Sequence, residues 1–151
     1  MPSVGKLSNI DDVYQSAREA MVCEYRSQVA GVRQENYISP ADEDPTVTAA
    51  AIFFMGRLVS KGISGKRGVS MCPMRDQQAN KSTMNAISPT HAEGRALMSL
   101  PSSVEDQDII LVVDKDPCRA CWTMFKRYAI HRLGVASLEV IGPTFHQIFR
   151  R

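Results

Sequence analysis

The order of elements along the chain predicts an α/β protein, a three-layer α/β/α sandwich with helices on both sides of one mixed five-stranded sheet that ends in an antiparallel hairpin. Three observations carry this expectation. Val47 to Ser60 is rich in apolar, β-compatible residues and is followed by Gly62, Gly65 and Gly68 and then Val69-Ser70-Met71-Cys72, a hairpin signal. Ile109-Ile110-Leu111-Val112-Val113 is a continuous apolar run between acidic residues, the pattern of a central strand buried on both faces. Segments of helical period alternate with these strands.

The elements are expected in this order. Helix 1 should run from about residue 9 to 30: Ser8-Asn9-Ile10-Asp11 makes a capping-box-like start, Asp11, Val13, Ala17, Met21 and Val29 sit near helical spacing, and Gly31 can close it. Glu35 to Pro45 holds two prolines and the acidic Asp42-Glu43-Asp44, so it reads as a surface loop. After the first hairpin, Pro73 to Thr90 is polar and without a sustained period, a long connection of the length associated with function. His91 to Leu100 resumes helical character, with Ala92, Ala96, Leu97 and Leu100 on its apolar side. Pro117 can open the helix after the central strand. Its expected core stripe is Trp122, Phe125, Ala129 and Leu133, and Gly134 ends it. Ser137 to Ile141 and Thr144 to Phe149, with Gly142-Pro143 between them, read as the closing hairpin.

Composition bounds the function classes. At 151 residues the chain fits one domain, and its 44% hydrophobic and 23% charged residues are ordinary for a globular protein. No apolar run approaches the roughly 20 residues of a membrane span. Met1 to Lys6 lacks the apolar stretch of a secretory signal, so an export address would lie elsewhere, in a larger parent chain. The net charge of +2 neither demands nor excludes nucleic acid. Basic residues cluster at Arg57, Lys61, Lys66 and Arg67 and again at Arg119, Lys126, Arg127 and Arg132; either a local basic rim or solvated faces of a hairpin and a helix would produce this. Of the four cysteines, Cys118 and Cys121 form a C-x-x-C suited to metal or redox chemistry, while Cys23 and Cys72 read as semi-buried thiols.

Two short motifs carry chemistry. His91-Ala92-Glu93 and Pro117-Cys118-Arg119-Ala120-Cys121 each open an expected helix, and one buried strand separates the two helices. Helix N-termini favour thiolate over thiol, and residues three apart share a helical face, so Cys118 and Cys121 can reach one ion. Two thiolates and an imidazole leave four-coordinate zinc one position for water, the arrangement of catalytic rather than structural sites. Zinc lowers the pKa of such a water to about 7. Glu93, two residues past His91, is placed to take and return protons. A scaffolding zinc would instead need a fourth ligand; His131 lies ten residues beyond Cys121, about 15 Å along the helix axis, whereas His146 and Cys72 stay open on spacing alone.

H-x-E followed by P-C-x-x-C is the signature of the zinc nucleobase deaminases, and the chain resembles that cytidine deaminase-like superfamily. The longer run His91-Ala92-Glu93-Gly94-Arg95-Ala96-Leu97, with Asp116-Pro117-Cys118, resembles the deaminase domains at the C-terminal ends of bacterial polymorphic toxins, among them the single-stranded-DNA cytosine deaminase toxins. The chain departs from the vertebrate DNA-editing deaminases, which carry a Ser-Trp-Ser-type segment where Val113-Asp114-Lys115-Asp116 stands here. The resemblance implies one catalytic zinc, hydrolysis of cytosine to uracil in single-stranded DNA, and a monomeric effector acting in the cytoplasm of a target bacterium. It further implies an immunity protein in the producing cell. Candidate substrate contacts are Asn85, Ala92, Pro117 and Trp122. Asn85, like Asn80, lies in the long loop where nucleoside deaminases place a substrate-binding asparagine, and a turn-forming asparagine is its plain alternative. Trp122 suits either core packing or stacking on a base, and Phe125 and Tyr128 suit packing. Free cytidine or nucleotides, RNA bases, or no catalysis at all in a zinc-stabilised interaction module are the rival readings.

Overall fold

The computed structural model describes residues 2–35, 47–64 and 91–151. The elements are α1 (Pro2–Gln34), β1 (Ala49–Phe54), β2 (Arg57–Ile63), α2 (Ala92–Met98), β3 (Asp108–Val113), α3 (Arg119–Met124), which continues as a π-helical segment over Phe125–Arg132, β4 (Ser137–Ile141) and β5 (His146–Arg150). The strands form one mixed sheet in the order β2-β1-β3-β4-β5. Among the described residues only β3 and β4 run parallel; the other neighbours are antiparallel. The expected Val69 to Cys72 strand and the Pro73 to Thr90 connection lie outside the described residues, as do Cys72, Asn80 and Asn85.

Strand periodicity divides the apolar side chains between two cores. Ala50 and Ile52 of β1, Ile109, Leu111 and Val113 of β3, and Leu138 and Val140 of β4 pack with α2, α3 and the π segment. Ala49, Ala51 and Phe53 of β1, with Val112 and Ile141, pack against Tyr25, Val29 and Val32 of α1. Because successive strand residues point to opposite faces, the unbroken apolar runs of β1 and β3 serve both cores. Tyr25 stacks on Phe53 with ring centroids 3.8 Å apart, and burial pushes its phenol above the ordinary value despite the nearby Arg18 cation.

Four details differ from expectation. The first hairpin turns at Met55-Gly56, not at the glycines beyond residue 61. Both turn residues have positive φ, 53° and 77°, as a right-twisted two-residue hairpin requires, and methionine gives no turn signal. Helix α1 already begins at Pro2, ahead of the expected start near residue 9, and runs through Gly31 to Gln34, because Val32 finds a place in the core and Arg33 bonds to Asp114 and to the Val47 carbonyl. Its buried face starts only near Met21, so Val13 and Ala17 are exposed rather than core, and Cys23 is exposed too. The helix after β3 widens at Phe125, which allows Phe125, Ala129 and Ile130 all to be buried while Trp122 stays outside.

The parallel pairing of β3 with β4 brings their C-terminal ends to the same edge of the sheet as the N-terminal end of β1. At that edge both α2 and α3 begin. A side chain at position 62 would have no room beneath α2, so the glycine there lets the start of α2 lie directly on β2.

Candidate metal centre

His91 is the N-cap of α2 and Cys118 the N-cap of α3; each has extended backbone, which turns the chain into its helix with the side chain at the sheet edge. One turn into α3, Cys121 is fully buried and completes the group. His91 Nδ1 stands 3.0 Å from Cys121 Sγ, and the sulfurs of Cys118 and Cys121 are 3.1 Å apart. This is far beyond the roughly 2.05 Å of a disulfide bond. The three ligand atoms lie within 4.8 Å of one another, close enough to hold one metal ion, and no other His, Cys, Asp or Glu joins them among the described residues.

The donors fit a metal better than a packed core. His91 is buried, yet its Nε2 finds no hydrogen-bond partner among the described residues, and its Nδ1 faces sulfur. A buried imidazole held for stability alone is ordinarily hydrogen-bonded on its ring nitrogens. Zinc–sulfur bonds of about 2.3 Å in tetrahedral geometry place two sulfurs about 3.8 Å apart, so the cysteines need to open by less than about 1 Å.

Glu93 sits in the first turn of α2, 4% exposed, with Oε2 3.7 Å from His91 Nδ1. It adjoins the ligand triangle without belonging to it. His131 is exposed, and His146 is exposed and held by Glu139 at 2.6 Å; neither is part of the triangle.

Among the candidate substrate contacts, Ala92 is fully buried and Pro117 half-buried beside Cys118. Trp122 is not a core residue: it is 37% exposed, its ring tilted at 55° to that of Phe145 with centroids 5.3 Å apart. Phe125 is core, and Tyr128 packs at the core margin beneath the Arg132 guanidinium. Asn85, Lys66 and Arg67 lie outside the described residues. Arg57 opens β2 opposite Phe54, at the other end of the sheet from the triangle. Lys61 pairs at 2.8 Å with Glu35, just beyond the end of α1.

Two aspartates outside the ligand triangle fasten the segment that leads into α3. Asp114 accepts from Arg33 Nε at 2.6 Å and from the Ala49 amide at 2.9 Å, tying the end of β3 to α1 and β1. Asp116, two residues before Cys118, accepts from the amides of Thr144 and Phe145 at 2.9 and 3.0 Å and from the Thr144 hydroxyl. The Thr144 hydroxyl bond and the two amide bonds outweigh the opposing effect of burial and hold the Asp116 carboxyl below its ordinary value. The segment that departs from the DNA-editing pattern thus fastens the α3 start to the rest of the sheet. In the sequence Asp116 belongs to the Asp116-Pro117-Cys118 run, whereas Asp114 carries no signal beyond being an aspartate, a residue common in turns and loops.

A cavity of about 510 Å³ lies elsewhere, between α1 and the β4–β5 turn, lined by residues including Arg18, Val22, Arg26 and Ile141. No helix among the described residues is long and apolar enough to cross a membrane. The chain matches no protein-family model and no curated protein.

Proposed function

We propose that the protein is a zinc-dependent deaminase that converts cytosine to uracil in single-stranded DNA and acts as an interbacterial toxin, as the C-terminal domain of a larger protein. The observation that carries this reading is the triangle of one imidazole and two sulfurs with a buried carboxylate beside it but outside it. Two core clusters on the two faces of a mixed sheet, and a C-terminal hairpin, support the three-layer deaminase-like fold that the motifs suggest.

When bound, zinc supplies Lewis acidity that makes water nucleophilic near neutral pH. His91, Cys118 and Cys121 would hold it. Glu93 performs the proton transfers: its carboxylate takes a proton from the attacking water and delivers it to ring N3. It takes the second proton as the C4–O bond matures and gives it to the amine, so that the C4–N bond breaks with ammonia as leaving group. Cytosine and one water become uracil and ammonia, and Glu93 ends as it began. The near-complete burial of His91 and Glu93 keeps bulk water from competing for those protons.

The test is incubation of the purified, zinc-loaded protein with single-stranded DNA, RNA and free nucleosides, alongside Glu93→Gln. Uracil formed in DNA supports the reading, and the variant should keep its zinc while losing activity by about 10²-fold or more. Ammonia released from nucleosides alone would remove the DNA substrate, and a Glu93→Gln variant as toxic as the parent would remove catalysis, leaving a zinc-stabilised interaction module.

A further inference from the structure

The helical segment that starts at the metal ligands carries charge of one sign. From Pro117 to Leu138 the chain contains Arg119, Lys126, Arg127 and Arg132 and no aspartate or glutamate. Burial of Cys121, Met124, Phe125, Ala129 and Ile130 turns Arg119, Trp122 and Lys126 to the outside. Their spacing of three and four residues puts these three on one side of the helix, over about 10 Å of its length. Among the described residues neither Arg119 nor Lys126 has a carboxylate partner. Lys126 instead donates to the Arg150 carbonyl of β5 at 2.5 Å, at the end of the sheet away from the metal ligands, so the row runs from the ligands down the helix toward that end. Between the two cations stands the chain's one tryptophan, next in sequence to Cys121 and partly exposed against Phe145.

We infer that Arg119, Trp122 with Phe145, and Lys126 form the docking strip for the part of a single-stranded polynucleotide that flanks the base at the metal centre. Cations that track a phosphate backbone, with an aromatic platform between them on which any base can stack, are the means by which single strands are held. A free nucleoside has neither phosphates nor a neighbouring base and would gain nothing from such a strip. The inference rests on the deaminase reading for what enters the centre, and it makes the substrate a strand rather than a monomer.

The experiment measures binding of the zinc-loaded full chain to short labelled DNA and RNA oligonucleotides by fluorescence anisotropy across a salt series. Replacing both cations, Arg119→Gln with Lys126→Gln, should lower the slope of log K against log salt by about 1.4, from two single-strand phosphate contacts at about 0.7 each. Trp122→Ala should weaken binding about tenfold. Zinc content and melting temperature, measured on the same samples, show that the variants are folded. Weakened binding in either the DNA or the RNA arm supports the strip; parental affinity and slope in folded variants overturn it. A parent that binds through these residues yet deaminates nothing leaves the strip standing and removes the deaminase reading. A parent that deaminates cytosine while the variants bind as it does removes the strip alone.

Discussion

Gly62 and Ala92 approach so closely that a Cβ on Gly62 would lie 2.4 Å from the Ala92 carbonyl oxygen and 2.8 Å from the Ala96 amide nitrogen. Both obstacles are backbone, so neither can swing aside. Gly62→Ala should therefore push α2 off the sheet, destabilising the protein by about 1–3 kcal/mol, as overpacking does. Because α2 carries His91 and Glu93, zinc affinity should fall as well. Urea denaturation and a competitive chelator titration measure the two effects; a variant with parental values for both would show that α2 does not rest on this glycine.

Cys121 is the fully buried member of the ligand triangle and stands within about 3 Å of both other donors. Cys121→Ser should abolish stoichiometric zinc binding, read by atomic absorption on the purified chain. In the parent, zinc at 100 times its dissociation constant should add about 2.7 kcal/mol to the unfolding free energy, and chelation should lower the melting temperature accordingly. Equal melting temperatures with and without metal would mean that no site exists.

Asp114 is the joint at which β3, β1 and α1 meet. Asp114→Ala leaves the Arg33 guanidinium and the Ala49 amide without this acceptor, and a stability loss of about 1–3 kcal/mol is expected. Asp116→Ala should act differently, since its partners are in an exposed turn: little change in denaturation midpoint, but faster amide hydrogen exchange at Thr144 and Phe145, whose N–H groups lose their acceptor.

Acid should weaken the fold through Glu139. Burial raises its pKa, but hydrogen bonds and charge from Arg18 and His146 outweigh burial and leave it below its ordinary 4.5. A carboxyl depressed in the folded state contributes stability that is present above its unfolded pKa and is lost as pH falls through the folded one. The denaturation midpoint should therefore drop below about pH 4.5, and Glu139→Gln should be less stable than the parent at neutral pH with a flatter acid limb. A parent and variant with the same pH dependence would contradict this account.

Much of the molecule is legible in the sequence because it depends on neighbours along the chain. The apolar run at Ile109 to Val113 can bury two faces only as an interior strand, and β3 is the middle strand of five. His91, Glu93, Cys118 and Cys121 announce themselves because one residue separates the first pair and two the second, so each pair is held close by the chain itself. The meeting of the two motifs is different in kind. His91 Nδ1 reaches Cys121 Sγ across thirty positions only after β3 has paired with β1 and β4 and both helices have docked on one face.

Tertiary contacts alone decided the rest. Local signals end α1 at Gly31, but Val32 gains burial and Arg33 gains Asp114, and those gains carry the helix on to Gln34. The run Asp116-Pro117-Cys118 does not say what Asp116 holds until the β4–β5 turn arrives 28 positions later with three donors. Trp122 has the spacing of a core residue, yet the widened helix beyond it fills the core with Phe125, Ala129 and Ile130 and leaves the indole at the surface. The chain order alone named the candidate ligands, because each motif is local and its residues stay close whatever the rest of the chain does. Which of them meet, and which side chains stay outside, was set by packing between segments distant in sequence, where burial is won by whichever neighbour folding brings.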